Sequence, residues 1–129
     1  KPGVYPKVDD DATIILNYPD MEGVIHASWN WPFNRKDMHV YGDTGYAFVD
    51  NAETIRYRLE EKSKEKTKLV PLSKAPFNDP FTFFASAVTG KTKVKPTDLS
   101  ALELNVTVVE ILEAAKESDK TGRKIELKN

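Results

Sequence analysis

From Glu22 to Asp50 (EGVIHASWNWPFNRKDMHVYGDTGYAFVD) apolar and polar residues alternate with a period of two. That period suits strands and not helices, because successive side chains along a strand point to opposite sides of a sheet. Breaks fall at Trp31-Pro32-Phe33-Asn34 and at Gly42-Asp43-Thr44-Gly45, so the stretch predicts three antiparallel strands in a row. Strands are also expected at Ala12–Tyr18, Glu53–Glu60 and Lys66–Leu72, with Pro71 marking an edge, and a short one at Lys124–Leu127.

After residue 77 the period changes. Asn78-Asp79-Pro80 offers a cap and a first-turn proline, and Phe81, Phe84, Ala85 and Val88 follow at helical spacing. A second helix is expected from Pro96-Thr97-Asp98 to about Glu117. Leu102, Val106 and Val109 would form one apolar row and Leu104, Val108, Ile111 and Ala115 the next. Strands first and helices later predict an α+β domain spanning residues 1–129. It would hold an open, mainly antiparallel sheet of about six to seven strands, with two C-terminal helices packed on one face.

Register follows from matching faces, since a slip of one residue sends every side chain to the wrong side. Trp31 opposite Lys36 sets Trp29 against Met38, Ser28 against His39 and His26 against Tyr41. A two-residue Asp43-Thr44 turn sets Val40 against Ala47, Tyr41 against Tyr46 and His39 against Phe48. One face is then Ile25, Ala27, Trp29, Met38, Val40, Ala47 and Val49, assigned to the core beneath the helices. The other carries His26, Ser28, His39, Tyr41, Tyr46 and Phe48, joined by Tyr57 if Asn51-Ala52 is a two-residue turn. Aromatic and histidine side chains on a solvent-facing sheet have the composition of an interface. A small-molecule surface and a second core layer are the competing readings.

The chemistry-bearing residues form no complete catalytic constellation. With no Cys, disulfides and thiolate chemistry are excluded. His26 and His39 would be diagonal neighbours about 7 Å apart, but only Tyr and Ser accompany them, one ligand short of a zinc site. Glu103, Glu110 and Glu113 read as the solvated side of a helix. Gly42-Asp43-Thr44-Gly45 is followed by neither Lys-Ser/Thr nor a helix, so it reads as a hairpin turn. The sequon Asn105-Val106-Thr107 falls mid-helix. Trp29 and Trp31 could stack on a sugar, as in a small carbohydrate-binding domain, but on the face assigned to the core they read as packing. Trp31 at the loop mouth and Arg35 beside it are the candidates for substrate or partner contact. Lys plus Arg number 19 and Asp plus Glu 20, which gives no electrostatic case for nucleic acid or an anionic membrane. No apolar run reaches the roughly 18 residues of a membrane span. The compartment is left open. The linker-like opening KPGVYPKV, beginning at Lys1, is expected to continue from a longer protein.

In order and spacing, several segments together resemble the C-terminal domain of the glucose–fructose oxidoreductase and inositol dehydrogenase family. They are Val8–Ala12, Ala27-Ser28-Trp29, Val40–Gly45, Pro80-Phe81 through Phe84, Asp98–Leu112 and Thr121–Ile125. The resemblance implies a parent NAD(P)-dependent oxidoreductase acting on a sugar, cyclitol or related polyol. Its N-terminal Rossmann domain would hold NAD or NADP and a Glu-Lys-Pro motif bearing the catalytic Lys. This chain has neither that motif nor GxGxxG, and His26 lies on a strand rather than on the family's Asp-x-x-x-His helix. No catalytic, cofactor-binding or metal residue is therefore carried over. What the resemblance implies here is a substrate-side wall, a partner surface for the Rossmann domain, and a homo-oligomer contact through the open sheet face. The other reading is a stand-alone, non-enzymatic dimerisation or regulatory module on the same sheet.

Overall fold

In a computed structural model that describes residues 6–127, the chain forms six strands and two helices and falls into two compact units, divided between Ser73 and Lys74. The class is α+β. All strands are antiparallel and lie in the first unit; both helices lie in the second.

The strands are β1 (Asp11–Asn17), β2 (Glu22–Ser28), β3 (Met38–Tyr41), β4 (Tyr46–Val49), β5 (Thr54–Arg58) and β6 (Lys66–Leu69). They form two sheets, β1-β2 and β3-β4-β5-β6. This corrects the expected row of three strands: β2 pairs with β1, with Ile25 opposite Ile14 and Ala27 opposite Ala12, and not with β3. It also ends at Ser28, short of the expected Trp31. There the Asn30 N–H donates to Ser28 Oγ at 3.0 Å, a local side-chain bond that turns the chain out of the ladder before Pro32.

The β3–β4 hairpin has the register read from the sequence: Met38–Val49, His39–Phe48, Val40–Ala47 and Tyr41–Tyr46 are opposed. The Gly42 N–H closes the turn on Gly45 O at 2.8 Å. A Cβ on Gly45 would lie 2.0 Å from Arg58 O and 2.7 Å from Leu59 Cα, so β5 passes against a position that admits only glycine.

The β4–β5 connection differs from expectation. Ala47 opposes Tyr57 and Phe48 opposes Arg56. Asn51 is the cause. Its Oδ1 accepts from Glu53 N, Thr54 N and Thr54 Oγ1 at 2.9, 2.9 and 3.0 Å. The side chain thus stabilises a three-residue loop, Asn51 to Glu53, in place of the two-residue turn. The one-residue shift moves Tyr57 to the face of Val40 and Ala47, and brings Arg56 and Arg58 to the face of Phe48 and Tyr46.

In the second unit α1 (Pro80–Val88) starts where expected. Asp79 Oδ2 accepts from Thr82 N at 2.7 Å, with Pro80 in the first turn. The later helix, α2 (Leu102–Thr121), starts later than expected. Asp98 spends its carboxylate on Lys95 N at 2.7 Å and its carbonyl on Ala101 N at 2.9 Å, which fixes a preceding turn instead. Ala101 caps α2 without a side-chain bond and is the buried apolar residue among those described. The Asn105 amide donates to Leu99 O and Ala101 O, so the sequon asparagine is occupied with its own backbone. Gly122, at φ 65°, ends α2 in the left-handed conformation. Lys124–Leu127 pairs with no described strand.

Gly45→Ala is expected to cost about 1–3 kcal/mol through overpacking against Arg58 and Leu59. Gly42→Ala, with no atom closer than 3.9 Å to its new Cβ, should stay within about 0.5 kcal/mol. Urea midpoints of the two variants check the contrast.

Candidate functional site

The shared face of β3, β4 and β5 is built around one ring. Phe48 stacks on Tyr46 (centroids 4.4 Å apart, planes at 18°) and touches His39 at 4.5 Å. Tyr41 meets its edge at 5.4 Å, and the Arg56 guanidinium lies over it at 5.4 Å. The register produces this grouping. His39 and Arg56 are the cross-strand neighbours of Phe48 on either side, and Tyr46 lies two residues away on the same strand.

A chain of charge-assisted bonds encloses the rings. His39 Nε2 lies 3.2 Å from Asp50 Oδ1. Asp50 Oδ2 accepts from Arg56 Nη2 at 2.7 Å and from Nε at 3.1 Å. Arg56 Nη1 donates to both oxygens of Glu65, at 3.1 and 3.2 Å, and Tyr46 OH donates to Glu65 Oε2 at 2.9 Å. The guanidinium fork thus joins two carboxylates from opposite ends of the face. Bonds from Arg56, and then His39, hold the Asp50 carboxyl below the usual range. Glu65 is lowered first by the Tyr46 hydroxyl and then by Arg56. Glu65 in turn raises Tyr46, and the two carboxylates raise Arg56. These groups are well exposed, so the shifts order side chains more than they stabilise the fold.

Beside Tyr46 lies an open cleft of about 500 Å³, lined by Asp43, Thr44, Gly45, Tyr46, Arg58, Glu60 and Glu61. Arg58 Nε donates to Glu60 O at 3.1 Å. Among the described residues no group of three or more His, Asp or Glu could hold a metal ion. No helix there is long and apolar enough to cross a membrane.

Of the residues singled out from sequence, the structure brings together His39, Tyr41, Tyr46 and Phe48. Tyr57 lies on the opposite face. His26 belongs to the other sheet, where its Nε2 is 3.4 Å from Asp11 Oδ1 and its ring meets Trp31 edge-on at 5.3 Å. Arg35 covers Trp31 at 5.0 Å and forms a two-bond pair with Asp37, at 2.8 and 2.9 Å. That pair holds Asp37 below and Arg35 above their usual values. Trp31 and Arg35 are thus engaged with each other, while Trp29 is the exposed tryptophan, at 81%. Sequence reasoning missed Asp50, Arg56, Arg58 and Glu65. Asn51 at the first loop position, a residue type that bonds the backbone two places on, was the signal for the three-residue loop that brings the arginines to this face.

In comparisons with family models, with curated proteins and with solved structures, nothing matches the chain.

Asp50 and Glu65 are lowered in the folded state. Their contribution is therefore present above the pKa of the unfolded carboxyls and is lost as pH falls through the depressed folded values. Arg56→Gln removes the partner common to both. Its urea midpoint should fall below that of the parent chain near pH 7, and the gap should close toward pH 3. A gap of constant size would show that the loss is packing and not charge.

Proposed function

We propose that the Phe48-centred face is a protein–protein contact surface, and that the chain serves as the substrate-side and oligomerisation domain of an NAD(P)-dependent oxidoreductase acting on a sugar, cyclitol or related polyol. The observation that carries the first part is the pre-arranged cluster itself. Rigid aromatic rings and an oriented arginine cost little side-chain entropy to immobilise, and both are the residue types that dominate binding energy at contact centres. The ion pairs around them satisfy each other, which fits recognition better than reaction. The second part is supported by the order of segments that resembles the glucose–fructose oxidoreductase and inositol dehydrogenase family. On this reading the nicotinamide cofactor and the hydride-transferring groups belong to a Rossmann domain of the parent chain, and the sheet forms a wall beside the substrate and meets a second copy of the protein.

Tyr41 is 71% exposed on an edge strand, and among the described residues its ring contact is with Phe48, so it can be changed with little harm to the fold. Tyr41→Lys is expected to shift the mass measured by light scattering from that of an oligomer to that of a monomer. An unchanged mass would remove this face from the contact. For the oxidoreductase reading, the coding sequence upstream of Lys1 is expected to contain a strand–GxGxxG–helix unit and a Glu-Lys-Pro motif. A start codon close to Lys1 would contradict it and favour the stand-alone module.

A further inference from the structure

Strand β3 (MHVY) lies at an edge of the four-stranded sheet, and its residues are exposed where those of β4 are half-buried. In an antiparallel ladder, residues that exchange backbone bonds with a neighbour alternate with residues whose N–H and C=O point to the other side. The Gly42–Gly45 bond sets the phase, so Val40 and Met38 bond to β4. The N–H and C=O of His39 and Tyr41 therefore point outward, and no described residue takes them up. Natural sheets blunt such an edge with lysine, proline or a bulge. The opposite edge of this sheet follows that rule, with Lys66 and Lys68 on β6 and Pro71 just beyond. The β3 edge carries neither lysine nor proline, and its register on β4 runs without a bulge.

An edge whose donors and acceptors alternate in this way is complementary to itself. A two-fold axis pairs it antiparallel with a second copy, and the same patch serves on both sides. The possible registers differ in what they satisfy. With Val40 opposite the partner's Val40, His39 lies opposite the partner's Tyr41 and Tyr41 opposite the partner's His39. Every outward backbone group of both strands is then bonded from within β3. With His39 opposite the partner's His39, Tyr41 would need the backbone of Asp37, outside β3, and two imidazoles would oppose each other. The first register also sets an aromatic pair on either side of the axis. His39 and Tyr41 touch Phe48 of their own copy at 4.5 and 5.4 Å, so the two aromatic faces join across the seam. On the other face Val40, 50% exposed, gains an apolar neighbour.

We infer that two copies of the chain pair through β3, with Val40 at the two-fold axis, and join their four-stranded sheets into one with a continuous aromatic face. The inference rests on the reading of this surface as a place where copies meet, and it adds the strand that joins them. The chain has no cysteine, so single thiols report the seam. Val40→Cys, on the face away from Phe48, should convert to a covalent dimer under mild oxidation, because directly opposed residues bring their Cβ atoms within bridging distance. Met38→Cys lies opposite the partner's Gly42, about 13 Å along the strand from its own counterpart, and should stay monomeric under the same oxidation. In the unaltered chain, the His39 and Tyr41 amides should become protected from hydrogen exchange over the concentration range in which the scattering mass doubles. A Val40→Cys chain that links no faster than Met38→Cys would overturn the inference. So would a dimer whose Tyr46 and Phe48 rings are shielded while those amides exchange as fast as an unstructured peptide, a result that leaves the face itself as the contact. A chain that stays monomeric at every concentration overturns both readings.

Discussion

The close approach of Gly45 to Arg58 and Leu59 is the constraint on which the larger sheet depends. Strand β5 can lie against the start of β4 only because position 45 has no side chain. The Gly42–Gly45 bond on the other side of the same glycine fixes the hairpin. Together they decide which residues of three strands share a face. With a period of two, that decision places His39, Tyr41, Tyr46, Phe48 and Arg56 together and sends Met38, Val40, Ala47 and Tyr57 to the other side.

Once the face is set, its chemistry follows from reach. Arg56 is long enough to touch Asp50 and Glu65 while its plane lies over Phe48. A lysine would supply one point charge and could not hold both carboxylates and the ring. Exposed ion pairs add little to stability. What they add here is order, because Tyr46 and His39 are each tied to a carboxylate that Arg56 also holds. A surface with fixed rotamers loses less entropy on meeting a partner than a mobile one.

Much of this was legible in the residues, and the failures share a cause. The α+β class, the β3–β4 register and the start of α1 rest on backbone rules: alternation, a two-residue gap between glycines, and Asp before Pro. The misses rest on short polar side chains bonding the backbone nearby. Asn51 lengthened a loop by one residue and turned Tyr57 away. Ser28 ended β2 early by accepting from Asn30. Asp98 closed a turn instead of capping α2. Each choice lies between two local hydrogen-bond patterns of similar energy, and side-chain periodicity does not distinguish them. Arg56 and Arg58 escape notice for the same reason, since after a two-residue loop the alternation would put them on the face opposite Phe48.

A contact surface at Phe48 makes a claim about water. The most direct measurement is the effect of a soluble paramagnetic probe on the ring-proton signals of Tyr41, Tyr46 and Phe48, with protein concentration varied over two or three decades. If the face is where copies meet, these rings lose their exposure to the probe as concentration rises, while Trp29 and Phe33, exposed outside this face, keep theirs. Rings on this face that stay equally accessible at every concentration would contradict it.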